Sequence, residues 1–210
     1  MRYAYIHGFG SSPRSTKGLA LHEAFTARGL PFERPEMNRP SFAELTYTCA
    51  LEALDELAAA HPGERFSFVG SSMGGYLSAL WAERNPDRVG RLVLLCPAFR
   101  MMERWVQGFG DEALERWELD GYRLFPDGAG VHTPVHFGFI EDGRTFPPQP
   151  EPTCSTLVLH GTLDDVVPIE LSRDWAAQRD HVDFIELVDD HRLHASMPAV
   201  LEHVFRFFGV

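Results

Sequence analysis

The sequence predicts an α/β protein, a minimal, mostly parallel sheet of about six strands with helices on both faces, built as one domain over residues 1–210. Three observations predict it. Short β-rich runs alternate with segments of helical pattern, the order of repeated βα units. Several of these runs are apolar almost without interruption, as in Leu92-Val93-Leu94-Leu95 and Leu157-Val158-Leu159, which suits strands covered on both faces. Residues 66–70 run straight into Gly70-Ser71-Ser72-Met73-Gly74, and the helix-forming Tyr76-Leu77-Ser78-Ala79-Leu80-Trp81 follows at once. Strand, Gly-x-Ser-x-Gly and helix in that order describe a turn so tight that a neighbouring Cβ would clash, which lifts Ser72 Oγ clear of the sheet.

In chain order, the first strand is expected at residues 3–6 and turns at His7-Gly8-Phe9-Gly10. A helical pattern over 16–27 leads to a strand at 31–34, and another over 42–60 leads to the strand at 66–70. The helix after the serine covers 73–83. Strands at 92–96, 156–160 and 183–188 complete the sheet, with a helix at 169–177 between the last two. A final helix spans 196–208, where Ser196-Met197-Pro198 provides a serine cap and a proline in the first turn.

Residues 97–152 break this rhythm. They hold an aromatic-rich piece over 101–117, an expected hairpin pairing 122–125 with 135–140, and a proline-rich return, Pro147-Pro148-Gln149-Pro150-Glu151-Pro152. An insertion this long between core strands is usually functional, and it belongs above the carboxyl ends of the strands, as a lid does. Its aromatic residues, among them Trp105 and Phe137, line an acyl pocket or form the insertion's own small core.

Composition narrows the partners. Lys plus Arg total 19 against 30 Asp plus Glu, a formal net charge of −11, the wrong sign for tracking phosphates, so neither nucleic acid nor an anionic membrane is expected. The apolar stretch at the N-terminus is too short for a signal-peptide core or a membrane span. Cys49, Cys96 and Cys154 are sparse, odd in number and without CxxC spacing, which points to a reducing cytoplasm and to buried small hydrophobes.

A serine hydroxyl attacks a carbonyl only if a base takes its proton and an acid holds that base in the right tautomer. After Ser72 the acid's place falls at His160-Gly161-Thr162-Leu163-Asp164-Asp165, just past a strand, and the residues themselves do not choose between Asp164 and Asp165. The base follows the next strand, in Asp189-Asp190-His191-Arg192-Leu193-His194. His191 is preferred because it lies nearer the strand end, whereas His194 lies beside the helix, where packing or capping explains it. Two amides complete an oxyanion hole, that of Met73 after the nucleophile and that of Phe9 in the first glycine loop. That loop is not a dinucleotide fingerprint, because Pro13 stands where the third glycine belongs.

On these residues the chain resembles the α/β-hydrolase superfamily, and within it the small bacterial YqiA-like esterases. The resemblance is carried by His7-Gly8-Phe9-Gly10-Ser11-Ser12-Pro13-Arg14-Ser15-Thr16-Lys17, by Gly70-Ser71-Ser72-Met73-Gly74-Gly75-Tyr76 and by His160-Gly161-x-x-Asp164-x-x-Val167-Pro168. It implies an α/β-hydrolase fold that starts directly at the strand before the oxyanion loop, favours Asp164 over Asp165 and Asp190-His191 over His194, and implies a cofactor-free hydrolase of small esters. A thioesterase and a C–C bond hydrolase share the same triad, and an interaction protein on this fold is the reading from another class. His132 and His136 have no third ligand at sensible spacing, so no metal is expected. His160 reads as a structural residue at a strand end. Oligomeric state and acyl preference are not written in the sequence.

Overall fold

A computed structural model describes residues 1–210. Its strands are β1 (Arg2–Ile6), β2 (Phe32–Glu33), β3 (Phe66–Ser71), β4 (Val89–Leu95), β5 (Tyr122–Pro126), β6 (His132–His136), β7 (Thr156–Gly161) and β8 (Val182–Leu187). Its α-helices are α1 (Thr16–Thr26), α2 (Tyr47–Ala60), α3 (Met73–Arg84), α4 (Met101–Asp120), α5 (Gly138–Gly143), α6 (Ile169–Ala177) and α7 (Met197–Phe208). Six strands form one sheet in the order β2-β1-β3-β4-β7-β8, every neighbouring pair parallel. This is the α/β-hydrolase fold in the minimal form the sequence predicts.

The period-two alternation of the strands separates two cores. Phe66, Phe68, Leu92, Leu94 and Val158 face the layer that holds α2, α3 and Trp175 of α6. Val69, Val93, Leu95, Leu157 and Leu159 face the layer of α1 and α7, with Leu21, Phe25, Val200 and Val204. Burial on both faces is why these runs carry no polar alternation.

The register places the functional loops along one edge. Ile6 pairs with Gly70, Ser71 with Leu95, Leu95 with Leu159 and Gly161 with Leu187, so the carboxyl ends of the five long strands are level. From β1 the chain first builds outward to β2 and then crosses to β3 on the other side. The switch in direction therefore lies between β1 and β3, where open α/β sheets form their crevice.

Several elements differ in detail from the expectation. The helix expected over 42–60 starts only at Tyr47, because Thr46 Oγ accepts from the Cys49 amide at 3.1 Å and caps it there. The second strand of the hairpin is β6, not 135–140. Past His136 the chain closes into α5, whose buried Phe139, Ile140 and Gly143 follow helical spacing. α4 carries a break at Gly110 (φ 74°, ψ 166°). Ser196 precedes α7, but its hydroxyl makes no capping bond. No helix is long and apolar enough to cross a membrane.

Candidate active site

Ser72 stands between β3 and α3 with φ 55° and ψ −121°, a region that costs a non-glycine residue about 1–3 kcal/mol. The surroundings hold it there. Its amide donates to Leu95 O at 2.9 Å, and its carbonyl accepts from Gly75, Tyr76 and Ala98 at 2.9, 3.1 and 3.0 Å. The Ala98 bond ties the root of the insertion to the turn. Gly74 has to be glycine, because a Cβ there would stand 2.1 Å from Ile6 O.

The loop after β1 lies directly against this turn. A Cβ on Gly8 would stand 3.1 Å from Ser72 Cβ and 3.7 Å from Met73 N. The Met73 amide opens α3 and has no acceptor within the helix, and the Phe9 amide enters no backbone bond of its loop. Two free N–H groups thus flank the serine, at the positive end of a helix. Buried His7 anchors the loop, its Nδ1–H donating to Gly8 O at 3.0 Å.

The expected acid and base meet across the ends of β7 and β8. His191 Nδ1 lies 2.7 Å from Asp164 Oδ2, a bond that fixes the ring and leaves Nε2 free. Asp164 Oδ1 accepts from the amides of Val166 and Val167 at 2.9 and 2.7 Å. Burial alone would raise the Asp164 carboxyl, but hydrogen bonds from His160, His191 and the Val167 amide hold it well below the usual carboxylate range. Asp165 and His194 are exposed, so the geometry separates each from its neighbour in sequence. The His191 loop is itself braced. Asp189, 8% exposed, accepts from the amides of Asp190 and Ser196 at 2.8 and 2.7 Å, and buried Leu193 takes a left-handed turn (φ 54°).

The two aromatic residues assigned to substrate binding part company. Trp105 is half-buried and meets the Phe9 ring edge-on at 5.0 Å, within a cluster with Phe109, Phe125 and Phe139 that reaches the oxyanion loop. Phe137 is 8% exposed, packs on Trp117 at 6.0 Å and belongs to the buried core that the insertion shares with α2 and α3. A cavity of about 290 Å³ opens at the root of the insertion between Tyr47, Tyr76, Met101, Met102 and Phe146, but Ser72 and His191 do not line it.

Three further residues stand at the site. Arg104, beside Trp105 on α4, donates to the Val166 carbonyl, so the insertion grips the acid's loop as well as the oxyanion loop. Nothing in the sequence marked it. Lys17 is 8% exposed, its ammonium pushed down by burial and pulled back up by the carboxylates of Asp164, Asp190 and Asp189. His160 sits fully buried behind the acid, its Nε2 3.0 Å from Asp164 Oδ2. Lys17 belonged to a quoted motif without a role, and His160 was expected only as a structural residue at a strand end. Cys96, His160 and Asp164 offer ligand atoms within 4.8 Å of one another. Here His160 and Asp164 are engaged with each other, and the nearby Lys17 ammonium disfavours a cation. His132 and His136 are exposed on the hairpin.

The chain belongs to the uncharacterised protein family UPF0227, whose model matches residues 2–209. No curated protein matches it. Among solved structures it is similar to alpha/beta hydrolase domain-containing protein 10 from mouse, at TM-score 0.82 and 21% identity over 99% of this chain and 89% of that one. Est1E from Butyrivibrio proteoclasticus superposes at 0.78 and 21% identity, covering 98% and 86%. A putative hydrolase from Agrobacterium vitis S4 superposes at 0.80 and 24%, covering 97% and 86%. At such identities these likenesses establish the fold.

Proposed function

We propose that this UPF0227 member is a cofactor-free serine hydrolase of small carboxylic esters, forming an acyl-enzyme on Ser72. The observation that carries the reading is the strained Ser72 turn beside two free amides, with a His191–Asp164 pair at 2.7 Å on the same edge of the sheet. In this reading neutral His191 takes the hydroxyl proton at Nε2 as Ser72 Oγ attacks the ester carbonyl. The oxyanion forms against the amides of Met73 and Phe9. His191 then returns the proton to the leaving alkoxide, and water repeats the sequence on the acyl-enzyme, releasing the acid. Asp164 stays ionised throughout and stabilises the imidazolium.

An apolar acyl group suits the surroundings. Leu163 and Val166 flank Asp164, Val188 precedes the His191 loop, and they are 65%, 51% and 83% exposed. With α4 touching both the oxyanion loop and the acid's loop, the insertion acts in this reading as a lid, with Trp105 on its inner wall. The test is labelling with a fluorophosphonate probe and turnover of p-nitrophenyl acetate, each compared with Ser72→Ala. Adduct on Ser72 and loss of both signals in the variant support the reading. Labelling at another serine, or unchanged turnover, refutes it.

A further inference from the structure

Asp164 Oδ2 serves two imidazoles. His191 Nδ1 lies 2.7 Å from it, and His160 Nε2 lies 3.0 Å from it on the buried side. His160 Nε2 is also 3.0 Å from the Val167 carbonyl, while its Nδ1 is 2.9 Å from Ser172 Oγ. The tautomer follows from these partners. A carboxylate and a carbonyl both face Nε2, and neither can donate, so Nε2 carries the hydrogen. Nδ1 is then the acceptor and takes the Ser172 hydroxyl proton in a hydrogen bond.

We infer that His160 is a positioning residue for the reaction proposed above: its Nε2–H, set by Ser172, draws charge from Asp164 Oδ2 and so limits how strongly the acid holds the proton of His191. The inference rests on that reading for its catalytic meaning. Its physical content, a buried ring nitrogen 3.0 Å from both Asp164 Oδ2 and the Val167 carbonyl, is in the structure itself. Oδ1 is pinned by the Val166 and Val167 amides. Removing the His160 donor therefore leaves the carboxylate in place and concentrates its charge on His191. The other titratable and charged groups around the pair stay in place under that substitution. They are Lys17 on α1, Cys96 at the end of β4 and Arg104 on α4, with Asp189 and Asp190 in the His191 loop. Glu186 on β8 faces His160 and pairs with Arg173 of α6.

The experiment compares His160→Leu, His160→Gln and the double variant H160L/S172A. The double variant removes both members of a buried hydrogen bond and so leaves no hydroxyl stranded. His191 is followed by NMR through its imidazole titration in a Ser72→Ala background, and the pH–rate limb is measured on ester substrate with Ser72 present. Without the donor, the His191 titration midpoint should move upward by about half a pH unit or more. The pH–rate limb should move with it, kcat should fall severalfold and KM should stay unchanged. His160→Gln, which keeps an N–H toward Asp164, should lie close to the parent protein. A midpoint that is unchanged or lowered in the folded donor-free variants overturns the inference. Absence of any ester hydrolysis by the unsubstituted protein overturns the proposed function instead, and the NMR titration still decides the role of His160.

Discussion

Ser72 is held against its own backbone preference by four hydrogen bonds, so its place is a property of the surrounding turn and survives removal of the hydroxyl. Ser72→Ala should leave the fold intact and lower p-nitrophenyl acetate turnover by about four to six orders of magnitude, measured alongside circular dichroism. His191→Ala should be nearly as damaging and His194→Ala close to neutral, because His191 reaches Asp164 and His194 is exposed. If His194→Ala were the silencing change, the base would be misassigned. Activity should rise along one limb as pH increases, since only a neutral ring accepts the serine proton. Asp164 gives a separate pH signature. Its folded carboxyl lies below its unfolded value, so its stabilising contribution is complete above the ordinary carboxylate range. That contribution is lost as pH falls through the depressed folded value. Thermal melts should show Asp164→Asn below the parent protein at pH 7, with the gap narrowing below about pH 4. A gap independent of pH would contradict this origin.

At the scale of the element, α4 is the piece that would join structure to selectivity in the proposed reaction. Its consecutive residues Arg104 and Trp105 touch the two loops that build the site, whereas Phe137 packs on Trp117. Trp105→Ala and Phe137→Ala should therefore behave differently. A hydrophobic wall discriminates by roughly 1–3 kcal/mol per methylene, so Trp105→Ala should shift relative kcat/KM among acetate, butyrate, octanoate and laurate esters tenfold or more. Phe137→Ala should lower Tm and leave the ratios alone, because it opens a cavity in the buried core beside Trp117. Equal losses on all four esters from Trp105→Ala would make α4 a structural cover only. The misread boundaries belong to this scale as well. The start of α2 depends on a single cap at Thr46, and the end of the hairpin depends on which turn of an apolar stretch closes first. Periodicity over a few residues settles neither.

Across the whole molecule, the site exists because five parallel strands end level and the chain changes direction between β1 and β3. The packing that keeps these ends together is tight at Gly74, where α3 crosses β1. Gly74→Ala should cost about 3 kcal/mol or more, since the methyl would press on the Ile6 carbonyl 2.1 Å away and part the sheet from the helix. Urea unfolding measures this directly. A midpoint close to the parent's would mean that the contact relaxes freely. Gly161 plays the matching part at the other end of the site, since a Cβ there would stand 2.4 Å from Asp189 O in the loop that carries His191.

The fold class was legible in the sequence, because two-sided burial leaves a continuous apolar signature in each core strand and the glycines around Ser72 report a turn that only glycine permits. The order of serine, acid and histidine was legible for the same reason: each follows a strand, and strand ends can be located from hydropathy. Choices between neighbours were not. Asp164 and Asp165, like His191 and His194, are equivalent in chemistry and near one another in the chain. Only the fold turns one of each pair inward, where amides and a second imidazole can meet it. The same holds for Arg104, His160 and Lys17. Arg104 and Lys17 meet partners far away in the chain, and hydropathy patterns carry no record of contacts at that separation; the partners of His160 are near in sequence, but only the turn after β7 folds them back onto its ring.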